Sequence, residues 1–230
     1  MMADRERLNI SEADHDRISA AVLAAERGTD GEIVTIIAPR SDAYHDVGLH
    51  YAVAAMLVLL TLVASFPRAF SDFAISALGG WEHSLPVTTQ LSLLLGAMIL
   101  IFLIVRYTLA WMPLRMSLTP GATKERRVRR QAVTLFRACA QGRTKGHTAI
   151  LLYLSVAEHR AEIIADEAIN AVVAPERWGD AMATLVGHLR ADNPADGMIE
   201  AIGMIGAILA EYVPKSESNP NELSDRLIEL

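Results

Sequence analysis

GEIVTIIAP, residues 31–39, is a β-branched run closed by a proline, and it reads as a buried strand. Ahead of it, Ser11 begins SEAD with Asp14 three residues on, an approximate capping box in which Asp stands for the usual Glu or Gln. Ile18, Ala21, Val22 and Ala25 then fall on one face, so residues 11–27 read as an amphipathic helix ended by Gly28. One helix and one strand cannot bury their apolar faces alone, so the strand must join a sheet formed further along the chain. TAILLYLSV (148–156) is apolar nearly throughout, which suits a central strand covered on both faces. After the polar connection Ala157-Glu158-His159-Arg160, AEIIAD (161–166) reads as its hairpin partner.

Between the two candidate partner strands, residues 124–140 read as a basic helix with Val128, Ala132, Leu135, Phe136 and Cys139 on its apolar face. Strand, helix and strand then make a right-handed β-α-β crossover. Pro175 opens a helix over ERWGDAMATLVGHLR, and Asn193-Pro194 opens another over ADGMIEAIGMIGAILAEY, ended by Pro214. In this last helix Gly203 and Gly206 are expected to permit close approach to the sheet.

Into the first connection of that crossover are set two long apolar runs, LHYAVAAMLVLLTLVASF (49–66) and QLSLLLGAMILIFLIVRYTLAW (90–111). At 1.5 Å rise per residue each is long enough to cross a hydrocarbon core of about 30 Å. They are apolar all round, unlike the striped helices of a soluble core. The expected fold class is therefore α/β, a small central β-sheet flanked by helices, with a two-helix transmembrane hairpin inserted after the first strand. Ser41 and Asp42 are expected to cap a helix running through Tyr44 and His45 into the first span. The domain plan is 1–44 for the first helix and strand, 45–114 for the hairpin, 115–214 for the rest of the α/β domain and 215–230 for a flexible tail.

Arg115, Lys124, Arg126, Arg127, Arg129 and Arg130 follow the second run against Glu125, whereas the loop between the runs offers Arg68. The bias of Lys and Arg toward the cytoplasm puts the loop outside, and both termini and the soluble domain inside. That places the chain in a bacterial inner membrane with the lipid bilayer as its first partner. Arg106, near the inner end, snorkels beside Tyr107 and Trp111, while Trp81, Pro67 and Pro86 mark the outer boundary. The start, MMADRERLNI, is polar and charged with no apolar centre, so insertion is expected to rely on the internal spans. Gly96 and the small residues 52–55 leave homo-oligomerisation open.

The hydrophobic fraction of 52% and net charge of −6 reflect a membrane segment joined to an acidic soluble part. The basic run 115–130 is explained by anionic lipid headgroups and topology, so no nucleic-acid partner is expected. The single cysteine, Cys139, rules out an intramolecular disulfide and suits a reducing compartment.

The run from Thr144 to Val213, with GEIVTIIAPRSDAYHDV before it, resembles the TPM domain family. The pattern is a Gly before an apolar strand, a polar turn containing Arg160, a second strand ending in Asp166, and Asp196-Gly197 opening the last helix. The resemblance implies an α/β sandwich with a small sheet, usually attached to a membrane, and a TPM-like domain split as 1–44 and 115–214. Members have been associated with acid phosphatase activity, with calcium-like metal binding and with accessory roles in membrane complexes. Two positions depart from the family pattern: its Asn-Gly before the central strand is Gly146-His147 here, and its Leu-Pro-Asp is Ala174-Pro175-Glu176.

Carboxylates suited to a hard divalent cation such as calcium are Asp166, Glu176, Asp180 and Asp196; Asp166, Glu176 and Asp196 are taken as the candidate metal ligands. Each also suits plain helix capping. Phosphoryl chemistry would draw on Arg143, Lys145, His147 and Arg160 near one end of the hairpin, yet the chain has no P-loop, no Cys-x5-Arg and no Asp-x-Asp pair. The histidines, His15, His45, His50, His83, His147, His159 and His188, form no zinc-like pair with a third ligand in view. The favoured reading is a non-enzymatic accessory module for another membrane protein, and the alternative is a metal-assisted phosphatase.

Overall fold

Ser11 does begin the first helix, and in the computed structural model its hydroxyl accepts from the Asp14 amide while Asp14 accepts from the Ser11 amide. The structure describes residues 10–80, 85–144, 146–216 and 222–230. Trp81, His83 and Lys145, and part of the tail, lie outside the described residues. In chain order the elements are α1 (Glu12–Glu26), β1 (Glu32–Ala38), α2 (His45–Ser65), α3 (Pro67–Ala77), α4 (Val87–Thr108), α5 (Met112–Leu118) and α6 (Gly121–Cys139). There follow β2 (Ala149–Ser155), β3 (Arg160–Ala165), α7 (Glu167–Val172), a 3-10 turn at Pro175–Trp178, α8 (Gly179–Arg190), α9 (Pro194–Tyr212) and β4 (Ile228–Glu229). They divide into two compact units, residues 1–42 with 121–230, and residues 43–120.

The first unit is a four-stranded sheet in the order β3-β2-β1-β4. β1 and β2 run parallel in register from Glu32↔Ala149 to Ala38↔Ser155, with α6 lying between them in the chain. β3 returns antiparallel to β2. Side-chain alternation on the two central strands explains why both are mainly apolar on both faces. Ile33, Ile37, Ile150, Leu152 and Leu154 face a core completed by α1, α8 and α9. Val34, Ile36, Ala38, Ala149, Leu151 and Tyr153 face Val128, Ala132 and Phe136 of α6. The sheet is thus the middle layer of three, and every residue of β1 and β2 is buried.

Local features differ from the sequence reading where long-range contacts override propensity. The tail ends in β4: Ile228 pairs with Ile36, and the Leu230 amide donates to the Ile37 carbonyl, so the segment 222–230 closes the open edge of β1 rather than hanging free. Ser41 and Asp42 do not cap α2. Its N-cap is Tyr44 at φ 51°, without a side-chain cap, because Ser41 is bonded into the sheet and Asp42 to Arg127 and Arg130. α7 follows β3 directly, and a 3-10 turn precedes α8 where one continuous helix from Pro175 was expected. Gly206 approaches α1, not the sheet: an added Cβ would lie 2.6 Å from Ala25 Cβ.

The second unit is built on α2 and α4, of 21 and 22 residues, with mean hydropathies of 2.2 and 2.3 over their best windows. Both are long and apolar enough to cross a membrane. Leu57, Val58, Leu62, Leu91, Leu95, Ile99, Leu100 and Ile104 are all more than half exposed, and no residue of α4 is buried. Pro67 occupies the first turn of α3, an ordered helix where a mixed loop was expected. Arg115, one of the basic residues that follow the second apolar run, is only 3% exposed.

Candidate functional site

α6 ends at Cys139, and the chain turns through Gly142, at φ 68°, and His147, at φ 51°, before β2 begins. A non-glycine residue held in the left-handed region is uncommon and is often retained at functional positions. These turns, together with the end of β3 and the start of α7, enclose a cavity of about 580 Å³ bordered by Phe136, Gln141, His147, Asp166, Glu167 and Asn170.

Asp166 is the chemically distinctive group there. Its amide donates to the Ala149 carbonyl at 2.8 Å, which fixes it beside the first residue of β2. It occupies the N-cap of α7 yet makes no side-chain cap hydrogen bond, and its Oδ2 is buried without a hydrogen-bond partner. A buried carboxylate oxygen of this kind calls for a donor or a cation. Beside it the Asn170 amide donates to the Ala165 carbonyl at 2.6 Å, which leaves its own oxygen to accept.

The other candidate ligands stand elsewhere. Glu176 lies exposed on the 3-10 turn and Asp180 exposed at the start of α8. Asp196 ties α9 to α1: it accepts from Asn193 Nδ2 at 2.7 Å and from Arg17, and these bonds, Asn193's first, hold its carboxyl below the usual range. Among the described residues no three His, Cys, Asp or Glu side chains gather where a metal ion could be held. Calcium takes six to eight oxygens, so Asp166, Glu176 and Asp196 do not make a calcium site together.

The basic groups considered for phosphoryl chemistry are also separated. His147 precedes β2, whereas Arg160 begins β3 opposite Ser155, at the far end of a seven-residue strand. That separation is about 20 Å at strand rise. Arg160 is engaged there by Glu125 at 3.5 Å and by the Gly121 carbonyl at 3.4 Å.

A second polar cluster was invisible in the sequence because its members are scattered through an apolar strand and a short turn. At the carboxyl ends of β1 and β2, the Ser41 amide donates to Glu158 at 2.9 Å, and Ser41 Oγ lies 2.9 Å from Tyr153 Oη and 2.8 Å from Ser155 Oγ. Ser155 Oγ in turn donates to Glu158. Tyr153 and Ser155 are fully buried and Glu158 is 6% exposed, so a turn that reads as solvated holds an internal carboxylate. Burial pushes the Tyr153 phenol above its ordinary value. This network locks the chain leaving β1 onto the neighbouring strand.

Residues 115–208 match the family model of the TPM domain. The matched segment begins in α5 and ends within α9, so β1 lies outside it and is attached to it by pairing with β2 along its whole length. The fold also resembles the NMR structure of the BA42 protein from the psychrophilic bacterium Bizionia argentinensis, with a TM-score of 0.56 and 15% identity over the full length of both chains. No curated protein matches the sequence.

Proposed function

We propose that this chain is a membrane-anchored TPM domain that serves as a non-enzymatic accessory module for another membrane protein, working at the cytoplasmic face. The observation that carries the anchor is the exposure of α2 and α4. The best window of α4 has no buried residues and that of α2 only 17%. Exposed apolar area on this scale is stable in lipid and is an aggregation surface in water. Lys124, Arg126, Arg127, Arg129 and Arg130 at the start of α6, against Arg68 in the segment between α2 and α4, support a cytoplasmic side for the TPM domain. An accessory role is supported by the positions of Glu176, Asp196 and Arg160, which stand apart from the cavity that Asp166 and His147 border.

Membranes from cells expressing the full chain should retain it after an alkaline carbonate wash and release it only with detergent. Release by carbonate alone would contradict the anchor. In parallel, phosphomonoester hydrolysis by the detergent-purified chain, lost on Asp166→Ala, would replace the accessory reading with a hydrolase.

A further inference from the structure

The start of α6 carries its charges in two distinct stripes. Glu125 and Arg129, one turn apart, face β3 and are matched there by Arg160 at 3.5 Å and Glu162 at 3.6 Å. Thr123, Arg126, Arg127 and Arg130 are spaced i, i+3, i+4, i+7 and so share another face. Together they line a concavity of about 310 Å³. Arg127 forms its floor with a side chain 15% exposed, while Arg126 and Arg130 stand exposed at its rim. Asp42 Oδ2 lies 3.2 Å from both Arg127 and Arg130. Arg126 donates to the Ala122 carbonyl and the Thr123 hydroxyl, both neutral, and is left with guanidinium donors for an anion.

Three guanidinium groups and a hydroxyl around one concavity match the oxygens of a phosphate group, which arginine engages bidentately. The chain position selects the source of that phosphate. Thr123 follows the last residue of α4, Thr108, by fifteen positions, within the reach over which basic residues act on a membrane surface. We infer that Thr123, Arg126, Arg127 and Arg130 form a headgroup site for an anionic phospholipid, with the Asp42 carboxylate competing for two of its arginines. The inference rests on the membrane anchorage proposed above and adds a specific lipid contact to it.

The test uses the full chain in a neutral detergent, titrated calorimetrically with phosphatidylglycerol, with phosphatidylcholine, and with inorganic phosphate. Saturable binding of phosphatidylglycerol, with the other two weaker by at least an order of magnitude, is the expected result. Arg126→Gln should weaken it about fivefold, and Asp42→Asn should tighten it by a similar factor, since each basic contact near an anionic surface contributes on that scale. Arg137→Gln, in the last turn of the same helix and outside the concavity, should leave it unchanged. Circular dichroism on each variant separates loss of the site from loss of the fold.

Equal weakening by Arg137→Gln and Arg126→Gln would show diffuse charge attraction and overturn the site. Inorganic phosphate binding as tightly as the lipid would overturn the lipid assignment, and so would preferential binding of an oligonucleotide. Failure of the anchor itself shows separately, as release of the chain by carbonate, whatever the headgroup dependence.

Discussion

Arg115 Nη1 donates to the carbonyl oxygen of Ala43 at 2.6 Å across 72 residues of sequence. The same guanidinium donates through Nε to the Leu109 carbonyl at 2.7 Å and through Nη2 to the Ala110 carbonyl at 3.3 Å. It therefore ties the approach to α2 to the free carbonyls that end α4, where a cation also complements the helix dipole. Arg115→Met should leave these carbonyls unpaired and cost about 2–4 kcal/mol. Arg115→Lys should recover only part, because an ammonium cannot span the fork. Thermal unfolding of the full chain in mild detergent measures both; a Met variant as stable as the parent would remove the clamp from the account.

Gly206 and Gly203 lie one turn apart on α9 and should respond in opposite directions. A Cβ on Gly206 would meet Ala25 Cβ at 2.6 Å and Ala25 Cα at 3.0 Å, so Gly206→Ala forces α1 off α9 at a cost of about 1–3 kcal/mol. Gly203 is exposed and nothing lies within 4 Å of its added Cβ, so Gly203→Ala should stabilise by about 0.5–1 kcal/mol through helix propensity. Denaturant titration of the two variants distinguishes them by sign.

The Glu158 network should behave as one unit. Glu158→Ala removes the acceptor for the Ser41 amide and for Ser155 Oγ, and should destabilise by about 2–4 kcal/mol. Adding Ser41→Ala to that variant should cost far less than Ser41→Ala does in the parent chain. Additive losses in a double-mutant cycle would show that the contacts act independently.

Burial raises the Glu26 carboxyl from its ordinary value to about 8, and the carboxylates of Glu32 and Asp225 add to the shift, although Glu26 accepts from the Ile33 amide at 2.7 Å. The native state thus holds a proton that the unfolded chain releases near 4.5. This contribution to stability is fully present below about pH 4.5 and is lost as pH rises toward 8. Glu26→Gln, which keeps the neutral shape, should flatten the loss of stability between pH 5 and 8. An unchanged slope would assign that loss to other groups.

How much of this was legible in the sequence follows from what holds each element. The runs at 32–38 and 149–155 announce themselves because strands covered on both faces are apolar at most positions on either face, with Glu32, Thr35 and Ser155 as the polar exceptions. Ser11 and Asp14 announce α1 because a capping box is local. β4 has two residues and exists through its pairing with β1, supported by the Leu223 amide on Glu32, so no local pattern marks it. α7, six residues long, has a capping residue whose side chain does not cap. Among the candidate ligands Asp166 was visible as a strand-end carboxylate, but its orphaned oxygen and the cavity it borders with His147 exist only in the folded chain. Asp196 carries the same residue type and serves to pair with Arg17 and Asn193. Arg115 and Glu158 read as surface charges because their burial is created by segments distant in the chain.

The membrane hairpin is the central claim, and its most direct test is the side of the membrane on which each part of the chain lies. Reporter fusions placed after Ser76, at the end of α3, and after Leu230 should report opposite sides, external for the first and cytoplasmic for the second. A cytoplasmic signal from Ser76 would contradict the account: with Leu230 also cytoplasmic, α2 and α4 do not cross the bilayer, and with Leu230 external, the hairpin is inverted.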